Sequence, residues 1–235
     1  MHPTILNKLE LDVMQANELL ECVHLAFKHC MPAIVVHPTL SEQAMIARGS
    51  VKGKFKIITP IDVKGESYGM DKFRGLSVDS LEADGFEFTL APHRTETDVR
   101  AEAMLLTDFT KRHLVSTIVP PEIRFVIGTQ TKDVASVQTM CKGLLQSATP
   151  AMVRTDSALK TQVSKANADV HMATIQTISE IIRVPIKISG NICDIRTMTA
   201  CNAASRFAVN LQQAQNIIKE HQQPDQMREI LNAVP

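Results

Sequence analysis

The chain has 235 residues, balances 25 lysines and arginines against 25 aspartates and glutamates, and is 44% apolar. That length can bury a substantial core, and the apolar content argues against disorder. Zero net charge removes the field that draws proteins to nucleic acid or to anionic membrane, so neither is an expected partner.

Five cysteines (Cys22, Cys30, Cys141, Cys193, Cys201) form no CxxC pair. Reduced thiols in a cytoplasmic, reducing compartment are therefore expected. The eight histidines show no HxxxH or HExxH spacing, so no metal or other cofactor is predicted. The opening "MHPTILNKLELD" lacks a basic region followed by an apolar core, and no apolar run approaches the ~20 residues that span a bilayer.

In chain order, a weak strand-like run "TILNKLEL" (4–11) precedes a helical pattern, "NELLECVHLAFKHC" (17–30). The apolar runs "PAIVVHP" (32–38) and "FKIITPI" (55–61) read as buried strands. The basic patch "KGKFK" (52–56) beside the second is too short to bind nucleic acid and reads as a solvated strand edge. "GFEFTLAP" (85–92) alternates in the manner of a strand and leads into the helical "TDVRAEAMLLTDFTKRHL" (97–114). "EIRFVIGT" (122–129), the helical "KDVASVQTMCKGLLQSA" (132–148) and the strand "PAMVRT" (150–155) follow. Then come the helical "VHMATIQTISEIIR" (170–183), the strand "VPIKISG" (184–190), and a strand stub with its helix over 206–222. The tail after Pro224 reads as a short extra helix.

Strands separated by helical runs imply βαβ units and a parallel sheet, whose doubly buried strands read as continuous Val/Ile runs. About eight such units of roughly 30 residues predict one domain over 1–235, a minimal (β/α)8 TIM barrel. An open doubly wound sheet is the competing architecture. It would want a glycine-rich phosphate loop after the first strand, which this chain lacks.

In such a barrel, chemistry sits at the C-terminal strand ends. The candidates there are Asn7, His37, Glu87, Thr129, Arg154, Asp156 and Lys187. A buried lysine next to a fixed cation is pushed towards its neutral form, which could attack a carbonyl to make a Schiff base, with a carboxylate moving the proton. The plainer reading is a buried Lys187–Glu87 ion pair that holds the barrel interior together.

The segments "AIVVHP", "ADGFEFT", "RFVIGT", "MVRTDS", "VPIKISGNI" and "RFAVN" resemble, in order, strands two and four to eight of the deoxyribose-phosphate aldolase family. These are class I aldolases built on a (β/α)8 barrel. The resemblance extends over about residues 4–220 and implies a class I aldolase-like fold. It also implies roles. Lys187 matches the family's helper lysine on strand seven, and Glu87 matches the strand-four aspartate. Asn7 falls near the first-strand aspartate. Val35 stands for a cysteine and Gly128 for a glutamate.

The family's Schiff-base lysine corresponds to Arg154, and an arginine cannot supply a neutral amine. The phosphate-binding turns correspond to Gly190-Asn191 and to Ala208-Val209-Asn210, where most of the glycines are missing. Loss of glycine removes the close backbone approach that an anion needs.

Two functional readings follow. The preferred one is a barrel that has lost aldolase activity and serves as a structural or binding protein. Its partner would be another protein, a further copy of itself, or a small anionic or carbonyl ligand held near Asn7, His37, Thr129, Asp156, Gly190, Asn191 and Asn210. The alternative is a carbon–carbon lyase in which Lys187 is a relocated nucleophile, Arg154 its neighbouring cation and Glu87 its proton carrier.

Overall fold

The computed structural model describes residues 5–62, 83–90, 95–113, 121–127, 134–147, 150–155, 175–189, 192, 195–201 and 204–223. Eight parallel strands close in sequence order into a barrel, β1 pairing with both β2 and β8. They are β1 (Leu9–Val13), β2 (Ala33–Val36), β3 (Lys56–Asp62), β4 (Gly85–Thr89), β5 (Glu122–Ile127), β6 (Met152–Thr155), β7 (Ile186–Ser189) and β8 (Arg206–Val209). The (β/α)8 expectation holds, and the open doubly wound alternative does not.

The described helices are α1 (Leu19–Lys28), α2 (Ser41–Ser50), α3 (Glu96–His113), α4 (Val134–Ser147), α5 (helical over 175–181), α6 (Ile195–Ala200) and α7 (Leu211–His221). None is long and apolar enough to cross a membrane. The extra helix expected after Pro224 lies outside the described residues.

Strand alternation separates two environments, because successive side chains point to opposite faces of the sheet. The outward residues, among them Leu9, Leu11, Val13, Phe86, Phe88, Phe125 and Phe207, join the helices in one large apolar core. The inward residues are different in kind. Ala33, Val35 and Ile58 form a small apolar cluster of their own on β2 and β3. Most of the other inward positions carry charge.

The expected N-terminal strand over 4–11 is displaced. Residues 5–8 form a turn, with Leu6–Lys8 as a 3-10 helix, and the strand itself begins at Leu9. Register explains the shift. Glu10 pairs with Ala33 and Val13 with Val36, while Leu9 pairs with Phe207. That register buries Leu9, Leu11 and Val13 against the helices. A one-residue slip would turn all three into the charged interior.

Candidate functional site

The centre of the barrel is a chain of ion pairs that begins at its N-terminal end. Lys56 is solvent-exposed, as expected of that strand edge, and pairs across the sheet with Glu122. Glu122 also accepts from Arg124 Nε at 2.7 Å, and Arg124 Nη1 donates to Glu10 Oε2 at 2.6 Å. Glu10 Oε2 accepts from Lys187 Nζ at 3.1 Å, and the same ammonium lies 2.6 Å from Glu87 Oε1. Glu87 Oε2 accepts from Arg154 Nη1 at 2.7 Å. Arg154 Nη2 donates to Asp12 Oδ2 at 2.7 Å, its Nη1 reaches Asp12 Oδ1 at 3.5 Å, and its Nε donates to Ser189 Oγ.

The geometry gives this chain a direction. Asp12 and Ser189 stand two residues beyond Glu10 and Lys187 on their strands, towards the C-terminal mouth. Arg154 therefore reaches up from Glu87 to the mouth and lies over Lys187. Exposure follows the same gradient. The side chains of Lys187, Glu10 and Glu87 are 0%, 0% and 1% exposed, whereas those of Arg154 and Asp12 are 15% and 19% exposed.

Burial by itself would raise the Glu87 carboxyl. Lys187, then Arg154 and Arg124, outweigh it and hold the group down at about 2. Glu10 behaves alike: burial opposes ionisation, and Lys187 and Arg124 hold its carboxyl below the ordinary range. Burial works against the Arg154 cation, yet Asp12 and Glu87 raise its pKa above the ordinary arginine value. The low-dielectric interior penalises a lone charge heavily and accepts a paired one.

Glu87, Arg154 and Lys187 are thus brought together, and Val35 faces the same interior. Asn7 is not. It is exposed in the turn before β1, at the opposite end of the strand from the mouth, and Asp12 occupies the first-strand position in the cluster. His37 follows β2 at the rim, where its Nδ1 lies 2.9 Å from Thr39 Oγ1 and caps a short turn. Asn210 follows β8 and caps α7. Its side chain accepts from the Gln213 backbone N–H, and Gln213 Oε1 accepts from the Asn210 N–H, each at 2.9 Å. Both rim groups are therefore engaged by local structure. Thr129, Asp156, Gly190 and Asn191 lie outside the described residues.

Glu10, Asp12, Arg124 and Ser189 escaped the sequence reading. Their signal was nonetheless present. "LELDV", "FEFT", "EIRFVI" and "IKIS" each place a charged or polar residue at alternate positions of a strand. Helices cover the outer face of a (β/α)8 barrel, so those positions must point inward.

The cluster does not present a free amine. Lys187 Nζ points at two carboxylates in the closed centre of the barrel. A carbonyl that reacted there would have to break those contacts. Among the described residues no group of three or more His, Cys, Asp or Glu could hold a metal ion.

No protein-family model matches the chain, and no curated protein is similar to it in sequence. Its fold does have solved relatives. The deoxyribose phosphate aldolase of Aeropyrum pernix, described as a unique tetramer, superposes with a TM-score of 0.72 at 12% identity, covering 94% of this chain and 93% of that one. A candidate deoxyribose-phosphate aldolase from Coccidioides immitis has a TM-score of 0.68 at 11% identity, covering 95% and 87%. The HpcH/HpaI aldolase of Desulfitobacterium hafniense has a TM-score of 0.60 at 8% identity, covering 97% and 94%. At such identities the likeness is one of fold, and the architecture of this chain is an aldolase-like (β/α)8 barrel.

Proposed function

We propose that the protein is an aldolase-like barrel that runs no Schiff-base chemistry and acts as a structural or binding protein. One observation carries this reading. Arg154, at the position that the family resemblance gives to the nucleophile, is held by Glu87, Asp12 and Ser189. An arginine remains protonated through the physiological range and offers no lone pair to a carbonyl carbon. The amine at the centre, Lys187, is committed to Glu10 and Glu87. The described tetramer of the Aeropyrum pernix enzyme supports self-association as one use of such a barrel. The free thiols of Cys22, Cys30, Cys141 and Cys201 support a reducing, cytoplasmic setting.

The test is imine trapping. The protein is mixed with deoxyribose 5-phosphate, or with a simple aldehyde, and treated with borohydride, which reduces any Schiff base to a stable amine. We expect no cleavage and no site-specific adduct by mass spectrometry. An adduct mapped to Lys187 would establish the alternative, a carbon–carbon lyase with a relocated nucleophile and Glu87 as its proton carrier. Arg154→Lys is expected to leave cleavage undetected, because most of the glycines of the phosphate turns are absent as well.

A further inference from the structure

Asp12 meets the end of the Arg154 guanidinium with both oxygens, Oδ2 to Nη2 at 2.7 Å and Oδ1 to Nη1 at 3.5 Å. That two-pronged face is the one a guanidinium offers to a carboxylate or phosphate ligand. The protein's own carboxylate thus fills the anion fork at the mouth end of the cluster, where Asp12 and Arg154 keep 19% and 15% of their side-chain surface in solvent. Glu87 and Ser189 hold the guanidinium from below and from the side, so Arg154 would stay in place if Asp12 let go.

A plain anion entering that fork must displace Asp12. The displaced carboxylate would then stand beside the anion without Arg154, the cation paired with it among the described residues. A plain cation at Asp12 would likewise strip Arg154 of one partner. A ligand that brings both charges replaces each half of the pair at once and leaves no group uncompensated. Resting on the reading of this chain as a binding barrel, we infer that the Arg154–Asp12 pair is a recognition element for a small zwitterion of the amino-acid class, its carboxylate on Arg154 and its ammonium on Asp12. The same arrangement rejects sugar phosphates, which carry negative charge only.

Calorimetric titration of the wild-type protein at neutral pH tests this with L-alanine, β-alanine and 4-aminobutyrate as dipolar probes of increasing span. Acetate, methylammonium and inorganic phosphate serve as single-charge controls. Saturable binding of at least one amino acid, with all three controls at least roughly tenfold weaker, is expected from the coupling energies of close charge pairs. Equal or tighter binding of acetate or phosphate would overturn the inference, as would no binding of any dipolar probe. Asp12→Asn should invert the order, weakening the amino acid and strengthening acetate; an unchanged order would also overturn it. Should that variant fail to fold, the wild-type comparison decides alone. The borohydride experiment is independent of this one. A trapped imine would defeat the non-enzymatic reading, whereas a failed titration would defeat only the ligand class.

Discussion

Lys187 and Glu87 meet at 2.6 Å in the middle of the barrel, with side chains 0% and 1% exposed. Neither charge has water to fall back on, so each depends on the other and on the groups that continue the chain. Glu87→Ala would leave the Lys187 and Arg154 cations short of a carboxylate, and should destabilise the protein by about 3 kcal/mol in urea unfolding. Replacing Glu87 with Leu and Lys187 with Met together should cost clearly less than the sum of the two single changes, because the double variant leaves fewer charges stranded. Additive single effects would show the two groups to be energetically independent.

The same network sets an acid dependence. Glu87 ionises at about 2 in the fold against an ordinary value of 4.5. Between those values the unfolded chain binds protons more readily than the folded one. The stability contributed by this carboxyl is therefore complete above about pH 4.5 and is lost as pH falls towards 2. Glu10 and Glu122, both held low, act in the same direction. Urea midpoints measured from pH 7 down to pH 3 should fall, and the slope should be shallower in Glu87→Gln. A parallel slope in that variant would assign the acid sensitivity to other groups.

Two helical glycines should respond to alanine with opposite signs. Gly143 lies where α4 crosses α3, and a Cβ there would sit 2.7 Å from the Glu96 carbonyl oxygen and 2.7 Å from Val99 Cβ. Gly143→Ala must push the helices apart, at a cost of about 1–3 kcal/mol. A Cβ on Gly49 of α2 meets nothing within 4 Å. Gly49→Ala should gain about 0.5–1 kcal/mol from helix propensity. Thermal melts of the two variants should move in opposite directions.

Thiol reactivity should separate the described cysteines. Burial pushes Cys22 up to about 12, with Glu18 and Glu21 adding to it, and burial pushes Cys141 up to about 12. Cys30 is exposed. The thiolate is the reactive form, so a disulfide reagent at neutral pH should label Cys30 in the native protein and reach Cys22 and Cys141 only on unfolding. Native labelling of Cys141 at the rate of Cys30 would show that α4 opens readily.

The amino-acid sequence by itself determined the layering of this protein, a parallel sheet with helices, whereas the closure of that sheet into a barrel, with β1 pairing to β8, was decided by the tertiary structure. Apolar runs such as "AIVV" and "RFVI", spaced by helical periods, admit few solutions other than a parallel sheet wrapped in helices, because both faces of such a sheet must be covered. It also determined that position 154 is a permanent cation. What it could not determine was who meets whom inside. Glu10 and Lys187 are 177 residues apart and Asp12 and Arg154 142 apart, and only barrel closure brings their strands face to face. Reading 4–11 as the first strand put Asn7 near the mouth; pairing with β2 and β8 moved the strand to Leu9–Val13 and put Asp12 there instead. A strand's pattern says which residues share a face, and the pairing register, set by its neighbours, says which end of the barrel they occupy.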